Sequence, residues 1–247
     1  MTPALPIYHT LQRTWKWLED ALFPPTCVGC SKRGNWCCAA CLASLTFPRK
    51  QKCPSCGTAN ELGEFCSACQ GKRALNGLWN AQPYGNPLVR NMVRAVKFEG
   101  VTELIPTLAN LMAATLHTYA LPPAWHKVPI EKWFICPVPL HPKRARTRGF
   151  NQSALIAAEV AEHAKIELKP VLERRRNTAP QSGLSHDEER SDNVTGAFTL
   201  TRGALVKGNA YILVDDVYTS GATLEECAKV LKLAGAIEVW GLTAAKG

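Results

Sequence analysis

The run Tyr211-Ile212-Leu213-Val214-Asp215-Asp216-Val217-Tyr218-Thr219-Ser220-Gly221-Ala222-Thr223 holds the densest set of groups able to do chemistry. An apolar strand is expected to end in two acids, a turn rich in hydroxyls follows, and a helix then opens. The N–H groups of such a turn, added to those of the helix N-terminus, converge on one point and suit a phosphate. Thr219, Ser220 and Thr223 add hydroxyl donors, and Gly221 permits close backbone approach. Asp215 and Asp216 stand at the C-terminal end of a strand, where ligands bind in open α/β sheets. The plain alternative is a strand–turn–helix with a capped helix and two solvated acids.

A second concentration of charge is Lys143, Arg144, Arg146 and Arg148, four cations within six residues. They follow a buried strand and precede a helix whose N-terminus adds to an anion site. Three readings stay open on physics alone: a grip on pyrophosphate, a grip on a nucleic-acid backbone, or a solvated loop. Trp36, Phe47 and Phe150 lie near basic residues as platforms for bases, and would serve equally as core.

The third set is sulfur. Four CxxC pairs occur in order, Cys27/Cys30, Cys38/Cys41, Cys53/Cys56 and Cys66/Cys69, separated by seven, eleven and nine residues. A tetrahedral zinc site takes four thiolates, and each CxxC turn delivers two, so two structural zinc ions are expected. Consecutive pairing is simplest; spacing alone leaves crossed or nested pairing open. A redox dithiol needs one such motif, not four, and a disulfide framework does not suit a reducing compartment. Cys37 is a spare that could replace Cys38. Cys136 and Cys227 read as buried core thiols. A closed four-thiolate site leaves no open position for substrate, so these ions are not expected to catalyse.

The elements that must position these groups follow from pattern. Leu11, Trp15, Leu18 and Leu22 predict a helix over 8–22, ended by Pro24-Pro25. Residues 26–73 have few periodic apolar positions, so metal must hold that module together, and it is expected to fold and unfold apart from the rest. From about residue 74 strand-like and helix-like stretches alternate, the pattern of an α/β domain with a mostly parallel sheet. Asn86 and Pro87 open one helix, and another follows Thr102. Trp133–Val138 is a buried strand, and a helix starts near Gln152. Tyr211–Asp215 is a strand, Thr223–Ala234 a helix stopped by Gly235, and Ile237–Leu242 a last strand. The polar stretch 174–195 is long for a loop inside a compact domain.

The chain has 247 residues, 46% of them hydrophobic, and 29 lysines and arginines against 20 acids, a net charge of +9. That balance favours acidic partners, from nucleotides and pyrophosphates to nucleic acid and anionic lipid. No apolar run approaches the ~18 residues a membrane span needs. Lys16, Glu19 and Asp20 stand where a signal peptide would be apolar. A cytoplasmic place is therefore expected, with a peripheral one at the inner face of the membrane as its variant.

The run 211–223 resembles the ribose-5-phosphate motif of type I phosphoribosyltransferases. The resemblance implies that Asp215 and Asp216 contact ribose hydroxyls and that Thr219 to Thr223 hold the 5′-phosphate. Ala222 stands where many members have glycine. Taken with the cysteine pairs, Val96-Lys97-Phe98-Glu99-Gly100, Arg148-Gly149-Phe150-Asn151-Gln152, and the stretch Arg174 to Phe198 with Gln181, Leu184, Arg190 and Asn193, the whole chain resembles the ComF, or competence protein F, family. That resemblance, which covers nearly everything after residue 26, implies a double zinc-ribbon-like module over 26–73, following the N-terminal helix that spacing places within 1–25. It implies a type I phosphoribosyltransferase-like domain over 74–247, a parallel sheet with helices on both faces. It also implies handling of single-stranded DNA in natural transformation, beside a DNA-translocation helicase or a recombination mediator.

Two functions follow as expectations. The first is a DNA-handling protein that keeps a phosphosugar site. The second is an active, amidophosphoribosyltransferase-like enzyme of unknown acceptor. It would bind phosphoribosyl diphosphate with magnesium, with cations from 143–148 on the departing pyrophosphate. Arg174, Arg175, Arg176 and Arg190 would then close over the site. The motifs themselves specify no transfer reaction.

Overall fold

The computed structural model describes residues 24–47, 50–71, 73–120, 128–178 and 193–247. The helix expected over 8–22 lies outside this set, as do Gln181, Leu184 and Arg190. The chain forms two compact units, Met1–Thr46 and Phe47–Gly247. The division falls between the two cysteine clusters rather than after both.

In the first unit a tight turn brings the Ser31 N–H to the Cys27 carbonyl at 2.8 Å, and helix α1 (Ala39–Ala43) starts directly after Cys38. The second unit opens with the same device. The Gly57 N–H meets the Cys53 carbonyl at 3.0 Å between strands β1 (Gln51–Lys52) and β2 (Ala59–Asn60), and helix α2 (Ser67–Gln70) starts after Cys66. The two cysteine clusters are thus built alike, but the second continues into a larger fold.

That fold is a four-stranded parallel sheet. Its strands are β3 (Gly77–Pro83), β4 (Trp133–Pro137), β7 (Ala210–Tyr218) and β8 (Glu238–Lys246), in the order β3-β8-β7-β4. Every residue of β4, and Ala210–Val214 of β7, is buried, as a parallel sheet covered on both faces requires. Register places Phe134, Tyr211 and Val239 in one row and Ile135, Ile212 and Trp240 in the next. The first row packs with Leu224, Cys227, Ala228 and Leu231 of helix α7 (Ala222–Leu233). The second row points to the opposite face, which α4 (Ile105–Thr115) and α6 (Gln152–Ala164) cover. Helix α3 (Pro87–Arg94) is capped by Asn86, whose side chain accepts from the Leu88 and Val89 N–H groups. A small antiparallel pair, β5 (Leu172–Arg174) with β6 (Phe198–Leu200), lies apart from the sheet.

Three elements differ from expectation. Strand β7 continues through both acids to Tyr218, with Asp215 opposite Thr243 and Val217 opposite Ala245, so the acids lie within the strand. Strand β3 was not expected, because Asn80 and Gln82 break its apolar run; Gln82 is nevertheless buried. The cationic run is not a loop but helix α5 (Pro142–Arg148). Its Lys143 N–H is capped by His141 Nδ1 at 3.1 Å, and it stops at Gly149.

The second cysteine cluster is sewn to the outer edge of β3. The Leu78 N–H donates to the Gly63 carbonyl at 2.9 Å, Glu64 bridges Gly77, and Trp79 Nε1 donates to the Leu62 carbonyl at 2.8 Å. The Gln51 side chain accepts from the Asn80 N–H at 3.3 Å. A Cβ at Gly63 would collide with the Leu78 carbonyl, so glycine is what lets this edge close. Cys53 and Phe65 share one apolar cluster with Leu75, Leu78 and Leu224. Glu225, in the first turn of α7, accepts from the Ala74 N–H at 2.6 Å and fixes the exit from the cluster.

Candidate functional site

Cys27, Cys30, Cys38 and Cys41 form one cluster and Cys53, Cys56, Cys66 and Cys69 the other, the sulfurs of each lying within 4.8 Å of one another. Consecutive pairing is therefore the arrangement adopted. The Cys30–Cys38 and Cys56–Cys66 sulfurs are each 3.7 Å apart. Four thiolates at about 2.3 Å from a tetrahedral ion would stand about 3.8 Å from each other, so zinc fits both sets. Matching N–H···S bonds support them, Cys38 N–H to Cys27 Sγ and Cys66 N–H to Cys53 Sγ, both 3.4 Å. Cys37 contributes to neither cluster.

The second candidate site lies at the C-terminal ends of the sheet strands. Asp215 accepts from the Ser153 hydroxyl at 2.8 Å and from the Asp216 N–H at 2.9 Å. Asp216 is 5% exposed and pairs with Lys97 Nζ at 3.0 Å, while Gln152 Nε2 donates to it at 3.2 Å. Arg148 in turn donates to Gln152 Oε1 at 2.7 Å. Burial alone would lower the Lys97 pKa, but Asp216 and Asp215 outweigh it and hold the ammonium above the ordinary lysine value. The two acids are thus held by three elements: the turn after α3, the start of α6 and the end of β7.

After β7 the chain turns through Thr219, Ser220 and Gly221 into α7. Gly221 has a φ of +80°, and a Cβ there would strike the Tyr218 ring, which packs beneath the turn. The conformation therefore depends on glycine, and the ring occupies the space a Cβ would need. Ala222 opens α7, and its N–H donates to Ser220 Oγ at 3.4 Å. Thr219 and Thr223 face a cleft of about 640 Å³ with Asp215, Asp216, Arg94, Lys97, Arg144, Arg148 and Arg174. A neighbouring cavity of about 750 Å³ shares Lys97, Phe98, Arg144 and Arg148 and adds Lys143 and Thr147.

Helix α5 sorts its cations by period. Arg144 and Arg148, four residues apart, face both cavities, Lys143 faces the outer one, and Arg146 lines neither and is exposed. Arg144 donates to the Thr178 carbonyl, and Arg174 reaches the Thr178 hydroxyl at 2.5 Å and stands over the Phe198 ring. Trp36, Phe47 and Phe150 line neither cavity. Lys97, Gln152 and Ser153, which the sequence does not mark as site residues, hold the acids. Lys97 lies 119 residues from Asp216 in the chain, and no local signal joins them.

Burial pushes the Asp215 carboxyl up to about 6, Asp216 adds to the rise, and Lys97 and Ser153 oppose it. A folded-state pKa above the ordinary 3.8 means that the folded chain binds this proton more tightly. The resulting stabilisation is complete below the lower value and is lost as pH rises toward the higher one. Asp215→Asn keeps the Oδ1 acceptor and removes the charge. We expect it to raise the melting temperature at neutral pH by about 2–4 °C, and to change little in acid where Asp215 is already protonated. A lower melting temperature at neutral pH would show that the charge is fully compensated.

A double zinc ribbon domain model matches residues 18–70. Competence protein F of Haemophilus influenzae is 28% identical over 243 residues, covering 85% of this chain and 98% of the relative. DNA utilization protein YhgH of Escherichia coli is 30% identical over 215 residues, covering 85% of this chain and 91% of the relative. Among solved structures, a hypoxanthine phosphoribosyltransferase from Staphylococcus aureus is 14% identical with a TM-score of 0.35, over 57% of this chain and 62% of that one. No helix among the described residues is long and apolar enough to cross a membrane.

Proposed function

Because the chain belongs to the competence protein F family, we propose that it handles single-stranded DNA, holding the strand's phosphates on α5 beside a phosphosugar site retained at 215–223. The observation that carries this reading is the sharing of Arg144 and Arg148 between the acid-bearing cleft and the outer cavity. One face of one helix thus offers cations along a path longer than a single phosphate. Affinity for a strand held this way comes from released counterions and needs no base sequence. A DNA-translocating helicase or recombination mediator would meet the protein on that same strand.

The second reading, transfer from phosphoribosyl diphosphate, is favoured by one arrangement: Asp215 lines the same cleft as Thr219, in the turn before α7, and Thr223, in its first turn. Asp215 and Asp216 would accept from ribose hydroxyls, and the turn and helix N-terminus would hold the 5′-phosphate. Magnesium bound with the diphosphate would offset its charge. Asp216 is already paired with Lys97, which leaves Asp215 the freer acceptor.

Calorimetry with a short oligothymidylate, and separately with phosphoribosyl diphosphate and magnesium, tests both. For DNA handling we expect binding whose logarithm falls with the logarithm of salt, by about 0.7 per phosphate contact. The phosphosugar should compete, since both ligands use Arg144 and Arg148. DNA binding that is absent, or indifferent to salt, would overturn the reading.

A further inference from the structure

The segment after α3 leaves one side chain without a structural use. Leu88, Val89, Met92 and Val93 bury one face of α3, and the chain then widens into a π-turn over Ala95–Glu99. Such turns shift the angular phase of a helix and recur at functional sites. Ala95 and Val96 are buried, and Lys97 reaches inward to Asp216. Phe98, next in line, is 68% exposed.

An exposed apolar side chain is ordinary by itself. Phe98 differs by position, because it lines both cavities where they meet, with Lys97, Arg144 and Arg148. Among the described residues lining them it is the one aromatic that is mostly exposed. A flat apolar ring bounded by cations suits a ligand that is itself a flat apolar ring between anions. A nucleobase on a phosphodiester strand has that form, whereas a bare phosphate or diphosphate gains nothing from the ring.

We propose that Phe98 is the stacking platform for one unpaired nucleobase of single-stranded DNA, with the flanking phosphates on Arg144 and Arg148. The inference rests on the DNA-handling reading and names the residue that senses the base. It also carries a selectivity: paired bases are already stacked and present no free face, so the platform favours single strands over duplex. Every base has a π-face, so little sequence preference follows.

The test compares an oligothymidylate with an abasic strand of equal length, by fluorescence anisotropy, on the wild-type protein, Phe98→Ala and Phe98→Trp. The wild type should prefer the strand with bases. Phe98→Ala should lose about 5- to 100-fold on that strand, lose nothing on the abasic one, and keep the same salt slope. Phe98→Trp should restore affinity, and its emission, taken as the difference from wild type, should be quenched by the thymidylate strand alone. Equal losses on both strands, or no loss on either, would overturn the stacking role while leaving DNA handling intact. A wild type that binds neither strand would overturn both. Zinc content and melting temperature, unchanged in Phe98→Ala, separate these outcomes from misfolding.

Discussion

Replacing Cys53 and Cys56 by serine should unfold residues 47–247 as a whole, not merely the cluster that holds them. The sequence suggests a detachable zinc module, since its apolar positions are sparse. The structure joins the second cluster to the sheet through β3, through the shared packing of Cys53, Phe65, Leu75 and Leu78, and through Glu225 at the start of α7. Structural zinc contributes on the order of 10–16 kcal/mol to small metal-dependent folds, and a whole domain is stable by only about 5–15 kcal/mol. Losing the second ion should therefore remove the cooperative melting transition and the near-ultraviolet dichroism of the buried Trp79–Trp240 stack. Cys27→Ser with Cys30→Ser, in the first unit, should reduce bound zinc from two equivalents to one by elemental analysis and leave that transition in place. A normal melt in the Cys53 and Cys56 variant would show that the sheet stands without its zinc.

Reversing Arg144 and Arg148 to glutamate should cause the second large loss. Two favourable phosphate contacts become two repulsions, so affinity for single strands should fall by roughly 100-fold or more at low salt. The slope of the salt dependence should flatten by about 1.4, at about 0.7 per contact. Arg146→Glu is the control: it makes the same charge reversal at one position of the same helix, but Arg146 is exposed and faces neither cavity, so its effect should be several-fold at most. Arg148 also steadies Gln152, and a melting curve must accompany the measurement. If the protein is a transferase instead, the double variant should lose turnover and keep its DNA affinity.

The clusters were legible in the sequence because metal ligation imposes short, fixed spacings, and so was the strand, turn and helix of the 211–223 run, whose signals are local. Charge density at 143–148 was equally plain, but its helix was not. His141-Pro142 and Gly149 are ordinary start and stop signals, overshadowed by four like charges that read as solvated chain. Lys97, Gln152 and Ser153 stayed out of reach because each acts on residues far away in the chain. Strand β3 has no clear signal in the sequence because Gln82, polar in type, is buried in fact. The tie between zinc and sheet was invisible for a related reason: it runs through backbone groups at Leu62, Gly63 and Leu78, and through side chains such as Cys53 and Glu225 whose partners lie far away in the chain.

The strand order has a bearing on synthesis. The first strand of the sheet, β3, pairs with the last, β8, so Gly77 waits for Trp240 and Pro83 for Lys246. While the chain emerges from the ribosome, β4 and β7 can find each other, but β3 stays open along the edge that β8 will take until β8 itself is free. An unpaired strand edge invites pairing between nascent chains. The zinc cluster, made earlier, already covers the other edge of β3, so with zinc bound one edge of β3 stays open in the unfinished chain and without zinc both do. Zinc supplied during translation is therefore expected to raise the fraction of this chain recovered folded above that from zinc added after synthesis.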